Sequence, residues 1–134
     1  MITSWKNISL LSYLLLALMT ASCQSSTGSD AQKEGFQDLN AAQFKEKMAT
    51  RGVVVLDVRT PAETAEGKIK GAEELDFRAP DFQEKLGQLD RDKTYLVYCR
   101  SGGRSSSACS MMEEMGFKNV YNLVGGYQGW STEN

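Results

Sequence analysis

The sequence contains no histidine, which excludes acid–base catalysis by imidazole and metal sites built on histidine. Its formal net charge is only -2 at pH 7, so it lacks the basic field of nucleic-acid-binding proteins. We therefore expect no nucleic-acid partner. With 134 residues, 41% of them hydrophobic, and without an internal repeat, the chain suits one small globular domain.

Long apolar runs are also scarce. The N-terminal run covers residues 8–20, and its 13 residues are too few to span a bilayer comfortably. Small residues follow at 20–22, then Cys23, an order that resembles a bacterial lipoprotein signal cleaved before a lipid-modified cysteine. We predict a signal peptide at 1–22 and lipidation of Cys23. An ordinary secretory signal with an incidental Cys23, or a retained membrane anchor, are the alternatives.

The segment after Cys23 is polar and rich in glycine and serine, which is typical of a flexible tether. The predicted organisation is therefore a signal peptide over 1–22, a tether over 23–35 and a globular domain over 36–134. We expect an exported monomer, lipid-anchored to a bacterial membrane and facing the periplasm or the cell surface.

Cysteine is rare, with three residues in the chain, and only Cys99 and Cys109 lie in the predicted domain. They are separated by a predicted loop and part of a helix, so a bridge between them would need distortion. Cys109 has an ordinary explanation as a small buried apolar side chain. Cys99 has no such explanation, because it ends an apolar strand directly before a loop.

Apolar patterning predicts that strands and helices alternate from residue 36 onward. The runs 52–58 and 94–99 are typical of strands buried on both faces. Further strands are predicted at 36–40, 73–77 and 119–124, and helices at 41–50, 61–67, 80–89 and 104–116, with a turn and a last short helix over 125–130. This alternation indicates an α/β domain with a mainly parallel sheet. Sites in such sheets form at the carboxyl ends of strands, which selects residues 57–61 and 99–104.

The residues after Cys99 have the composition of an anion-binding loop. The glycine pair 102–103 permits the sharp turn that must follow a buried strand. A helix begins near Arg104, and its N-terminus with inward-turned backbone amides favours negative charge. Arg100 and Arg104 add full charges if they point inward. The pKa of Cys99 should therefore fall, which predicts a nucleophilic thiolate. The alternative is a glycine–serine turn with a chance cysteine.

This loop resembles the active-site loop of single-domain rhodaneses, sulfurtransferases whose loop runs Cys-x-x-Gly-x-Arg-Ser. Here it reads Cys99, Arg100, Ser101, Gly102, Gly103, Arg104 and Ser105. Segments 56–63, 66–72 and 120–130 resemble other family motifs in the same order. The resemblance covers about residues 38–131. It implies a rhodanese-like three-layer α/β domain with a mainly parallel central sheet.

The resemblance also implies a reaction. Cys99 would take a sulfane sulfur from a small donor such as thiosulfate and hold it as a persulfide. A thiol, cyanide or a protein cysteine would then accept the sulfur. The loop residues 100–105 would bind the anion, with Arg104 and the amides stabilising the persulfide and Arg100 helping to bind the donor. No metal or organic cofactor is implied.

Other residues receive supporting roles from the resemblance. Asp57 and Arg59 would brace the loop from the neighbouring strand, or would form an ion pair that only holds the fold. Ser105 is expected to cap the helix. Lys68 stands where the family usually has histidine and Glu74 where asparagine is common, which puts the hydrogen bonding of that connection in question.

Three other functions compete with this interpretation. Dual-specificity phosphatases of the cell cycle share the fold, but their cysteine and arginine are one residue further apart than Cys99 and Arg104, and Tyr98 replaces their usual histidine. A thiol–disulfide oxidoreductase would need a resolving cysteine closer than Cys109. A non-catalytic binding module usually lacks the cysteine. A persulfide carrier restricted to one protein partner remains open.

Overall fold

A computed structural model describes residues 35–134. The predicted signal peptide at 1–22, the lipidation site Cys23 and the tether up to residue 34 lie outside the described residues. Strands and helices alternate in the order β1 Gln37–Leu39, α1 Ala41–Met48, β2 Val53–Asp57, α2 Pro61–Ala65, β3 Glu73–Glu74, α3 Phe82–Gly87, β4 Thr94–Tyr98, α4 Gly103–Glu114, β5 Asn119–Leu123 and α5 Gly126–Glu133. Among these residues no helix combines the length and apolar composition needed to cross a membrane.

Two of the helices, α1 and α2, begin at capping residues that are recognisable in the sequence. The Asn40 side chain accepts a hydrogen bond from the Gln43 amide, and the Gln43 side chain returns one to the Asn40 amide, so α1 begins with a capping box. Helix α2 begins with the same arrangement between Thr60 and Glu63, with Pro61 in the first turn. The prediction of Asn40 as a cap is confirmed, whereas the box at Thr60 was not anticipated.

The five strands form one sheet in the order β1-β5-β4-β2-β3, and all of its pairings are parallel. The predicted α/β fold with a parallel central sheet is therefore confirmed. Strand β4 lies in the centre and pairs with β2 in a register that places Asp57 opposite Tyr98. Since parallel strands end at one edge of a sheet, the residues after Asp57 and after Tyr98 meet there.

Strand β4 is buried on both faces of the sheet, and its side chains alternate between them. Tyr95, Val97 and Cys99 join the cluster that includes Met112 of α4. Leu96 and Tyr98 join the opposite cluster, together with residues such as Phe44 of α1. The layers are thus helix, sheet and helix, and Cys99 points into the layer that holds α4.

Candidate active site

Cys99 lies directly after β4 and is almost fully buried, with 1% of its surface exposed. Its Sγ accepts hydrogen bonds from the Gly102 amide at 3.1 Å and from the Ser105 hydroxyl at 3.4 Å. The chain therefore closes on the sulfur, as the sequence predicted for residues 99–105. A thiol needs no such donors, whereas a thiolate is stabilised by them.

The surroundings of Cys99 act on its pKa in two directions. Burial is the largest single influence and would raise the pKa of the thiol. The Ser105 hydroxyl and the backbone amides of Ser105, Gly102 and Ser101 oppose it, and together they lower the pKa of Cys99 below its ordinary value. The predicted direction of the pKa shift agrees with this geometry.

The start of α4 differs from one expectation. The N-cap residue is Gly102, with φ of 105°, and no side chain caps the helix. The prediction that Ser105 caps α4 is therefore wrong, because Ser105 already lies within the first turn. Its hydroxyl lies 3.1 Å from the Gly102 carbonyl oxygen and 3.4 Å from Cys99 Sγ. Ser105 contacts the sulfur directly instead.

The first turn of α5 supports the other side of the loop. The Tyr127 amide donates to the Cys99 carbonyl at 2.8 Å, and the Gln128 amide donates to the Arg100 carbonyl at 3.0 Å. Gly126 has φ of 57°, which a side chain would strain. The closing segment of the chain therefore fixes the backbone of the loop without contributing a reactive group.

Asp57 and Arg59 form a buried ion pair, with 2.7 Å between Arg59 Nη2 and Asp57 Oδ2. Arg59 Nη2 also donates to the Gly67 carbonyl at 2.7 Å, and its guanidinium lies 4.1 Å from the centre of the Tyr127 ring. Because the Tyr127 amide holds the Cys99 carbonyl, the pair supports the loop through Tyr127.

The two arginines of the loop have different surroundings. Arg104 is bound by Glu63 in a bidentate pair, with Nη1 2.8 Å from Oε2 and Nη2 2.7 Å from Oε1. Arg100 is exposed, and its side chain makes no hydrogen bond within residues 35–134. Arg100 lines an open depression of about 480 Å³, whose wall also includes Arg59, Ala62, Glu63, Glu66, Tyr127, Gln128 and Ser131.

The two residues that depart from the family pattern contact each other. Lys68 Nζ lies 2.5 Å from Glu74 Oε1 and also donates to the Ala72 carbonyl at 3.2 Å. The second carboxylate oxygen of Glu74 accepts from the Thr64 hydroxyl at 2.9 Å. The connection between α2 and β3 is therefore held by hydrogen bonds despite the altered residues.

Two contacts near the site were not predicted from the sequence. Glu63 binds Arg104, and the Thr-Pro-Ala-Glu order at 60–63 is a capping-box signal that could have drawn attention to it. Tyr98 accepts a hydrogen bond from the buried Ile69 amide at 3.0 Å, and no local pattern indicates this contact.

Cys109 is buried in the core, and both it and Cys99 are free thiols. Burial, aided by the negative charges of Asp38 and Cys99, raises the pKa of the Cys109 thiol far above its ordinary value. The expectation that Cys109 packs as a buried apolar side chain is confirmed. Within residues 35–134, no Cys, Asp and Glu side chains are grouped so that they could hold a metal ion.

The fold and the site define a class of parallel α/β domains in which a buried cysteine follows the central strand and accepts hydrogen bonds from the loop after it. Within that class the chain belongs to the rhodanese-like family, since the family model for the rhodanese-like domain matches residues 40–133.

Named relatives agree with this assignment. The chain is 41% identical over 98 residues to a putative sulfurtransferase YtwF of Bacillus subtilis, covering 72% of this chain and 92% of the relative. It is 37% identical over 84 residues to the thiosulfate sulfurtransferase GlpE of Stutzerimonas stutzeri, covering 62% and 74%. The crystal structure of a rhodanese-related protein from Thermoplasma volcanium superimposes with a TM-score of 0.65 at 33% identity, covering 74% of this chain and 94% of that one.

Proposed function

We propose that this protein is a sulfurtransferase that carries a sulfane sulfur as a persulfide on Cys99. The observation that carries the proposal is the pair of hydrogen bonds that Cys99 Sγ accepts from the Gly102 amide and the Ser105 hydroxyl. The names of the relatives support a sulfurtransferase role, and one of them is named a thiosulfate sulfurtransferase.

The first step is a displacement at sulfur. The Cys99 thiolate attacks the outer sulfur of thiosulfate, a new S–S bond forms, and the original S–S bond breaks so that sulfite leaves with the electron pair. The persulfide keeps one negative charge. The amides that stabilise the thiolate are placed to stabilise this anion as well. Arg100 is exposed and lines the open depression, where its positive charge would attract the thiosulfate dianion.

The second step returns the enzyme to its starting state. Cyanide or an acceptor thiolate attacks the outer sulfur of the persulfide, and the Cys99 thiolate leaves. Thiocyanate or a new persulfide is the product, and no redox cofactor is needed for the balance. The open depression lined by Arg100 is where we place the incoming acceptor.

The test is a mass measurement on the full chain after brief incubation with thiosulfate. Trypsin separates the cysteines, because Cys99 and Cys109 fall in the peptides 94–100 and 105–118 and Cys23 falls in the peptide that ends at Lys33. We expect one added sulfur on peptide 94–100, removed by cyanide and absent in Cys99→Ser. Cys109→Ser should still take up the sulfur.

A different result would redirect the assignment. Sulfur on peptide 105–118 instead would make Cys109 the nucleophile and overturn the proposal. No sulfur uptake from thiosulfate or from other sulfane donors would favour a binding module or a carrier that accepts sulfur from one protein partner.

We also propose that the protein is exported and anchored by a lipid on Cys23. The support is the order of the apolar run 8–20, the small residues 20–22 and the cysteine. Cys23→Ser should move the protein from the membrane fraction to the soluble fraction and abolish labelling by a fatty-acid analogue. Labelling that persists in Cys23→Ser would contradict this proposal.

A further inference from the structure

Glu63 couples the N-terminus of α2 to the N-terminus of α4. Its carboxylate binds both Nη atoms of Arg104, at 2.7 and 2.8 Å, and these side chains are only 22% and 18% exposed. The same carboxylate accepts from the Thr60 amide at 3.0 Å and from the Thr60 hydroxyl at 2.9 Å. With four donors on its two oxygens, Glu63 is held in one orientation and holds Arg104 in turn.

The charge of Arg104 lies within the electrostatic reach of Cys99. Arg104 lies in the first turn of the helix that begins at the Cys99 loop, and it directly precedes Ser105, whose hydroxyl lies 3.4 Å from Cys99 Sγ. The negative charge of Cys99 is one of the weaker influences that raise the pKa of Arg104. Glu63 is the stronger influence on that pKa, through its hydrogen bonds. An ion pair of this kind presents almost no net charge to a molecule at the sulfur, whereas a free guanidinium would attract anions.

We propose that Glu63 is a positioning residue which neutralises Arg104 and so limits the preference of the Cys99 loop for anionic reagents and sulfur donors. Arg100 is then the loop cation left to attract a donor. As far as donors are concerned, this inference rests on the proposed sulfur transfer. The electrostatic effect itself does not, because it concerns the potential at the Cys99 sulfur.

Two alkylating reagents of the same chemistry measure that potential directly. Iodoacetamide is neutral and iodoacetate carries one negative charge, so the ratio of their rates at Cys99 reports the local charge. We would measure both rates on the full chain and quantify peptide 94–100, which contains Cys99. In Glu63→Gln, which keeps the shape of the side chain, we expect the iodoacetate-to-iodoacetamide ratio to rise about three- to tenfold at low salt. High salt should shrink the difference.

A purely structural role for Glu63 gives a different result. Loss of loop geometry would slow both reagents together and leave their ratio unchanged. The matched control is Glu114→Gln, which removes the same charge at the far end of α4 and should leave the ratio as in the unaltered protein. An unchanged ratio in Glu63→Gln, or an equal rise in Glu114→Gln, would overturn the proposal.

A second comparison uses variants that lack Arg104, so that no guanidinium is left without its carboxylate partner. Arg104→Gln should lower the ratio, because Glu63 then stands without its partner, and the double variant Glu63→Gln/Arg104→Gln should return it close to the original value. If Glu63→Gln alone does not fold, the iodoacetate-to-iodoacetamide ratio must still be higher in the double variant than in Arg104→Gln. The absence of that rise would also overturn the proposal, whether or not the protein transfers sulfur.

Discussion

Gly126 lies so close to Arg100 that a Cβ atom on Gly126 would stand 2.6 Å from the Arg100 carbonyl carbon and oxygen. The same Cβ would also stand 2.6 Å from the Cys99 carbonyl oxygen. These are backbone atoms, which cannot rotate away. The shape of the Cys99 loop therefore depends on a residue that lies 27 positions further along the chain.

We predict that Gly126→Ala destabilises the protein and disturbs the loop. Its φ of 57° and the close backbone contacts together should cost about 1–3 kcal/mol of the free energy of unfolding. Urea denaturation would measure the loss, and slower alkylation of Cys99 would report the displaced loop. The control is Gly129→Ala in the same helix, where a Cβ meets nothing within 4 Å. That variant should be neutral or more stable by up to about 1 kcal/mol. Equal stabilities for the two variants would contradict the prediction.

We predict that Ser105→Ala makes Cys99 less reactive at neutral pH. Burial raises the pKa of Cys99, and the hydrogen bond from the Ser105 hydroxyl lowers it. Removing that hydroxyl should therefore raise the pKa of Cys99. A smaller thiolate fraction and a lost hydrogen bond should slow alkylation at pH 7 about tenfold. The midpoint of the rate–pH curve should lie below that of an ordinary cysteine, about 8.5, in the unaltered protein and move upward in the variant.

Ser107→Ala is the matched control for this variant. Its exposed hydroxyl donates to the Gly103 carbonyl at 3.3 Å and lies on the same helix as Ser105. The rate–pH curve of Ser107→Ala should coincide with that of the unaltered protein. A Ser105→Ala curve that also coincided with it would mean that the hydroxyl does not act on the sulfur.

We predict that Asp57→Asn is strongly destabilising. Asp57 is 0% and Arg59 4% exposed, so the substitution leaves a guanidinium buried without its charged partner. Breaking a buried pair in this way should cost about 3–5 kcal/mol, measured by urea denaturation. Asp81→Asn makes the same change in the exposed pair with Lys85 and should have little effect. A small loss in Asp57→Asn would mean that Arg59 is adequately held by Gly67 and Tyr127 alone.

Much of the fold was predictable from the sequence because its strands are marked by apolar runs. Strand β2 and strand β4 fall within the predicted segments 52–58 and 94–99, where burial on both faces requires continuous apolar residues. Strand β3 is shorter than the predicted segment 73–77. Leu75 and Phe77 still donate to carbonyls at the end of β2, at 2.9 and 3.2 Å, but these contacts do not continue the regular ladder.

The site was predictable in position and less so in its partners. The loop after Cys99 could be predicted because the residues that shape it are neighbours in the sequence. Gly102 permits the sharp turn, and the helix that follows it brings Ser105 back toward Cys99. The direction of Arg104 depends on Glu63, which lies 41 residues away in the chain. A motif gives the position of a charged side chain, and only the tertiary structure gives the residue that neutralises it.

We predict that Lys68 and Glu74 are weakly coupled and that the coupling depends on pH and salt. The pair is exposed, with 39% and 42% of the two side chains accessible, so a double-mutant cycle of Lys68→Ala and Glu74→Ala should give a small coupling that high salt removes. Hydrogen bonds from Lys68 and Thr64 lower the pKa of Glu74, so the contribution to stability is present above the ordinary glutamate pKa of about 4.3 and is lost as the pH falls through the lower folded value. Cys99 alkylation should be unaffected, because neither side chain hydrogen-bonds to residues 99–105. A coupling that survives at acid pH, or a change in Cys99 reactivity in Lys68→Ala, would show that this connection does more than hold α2 to β3.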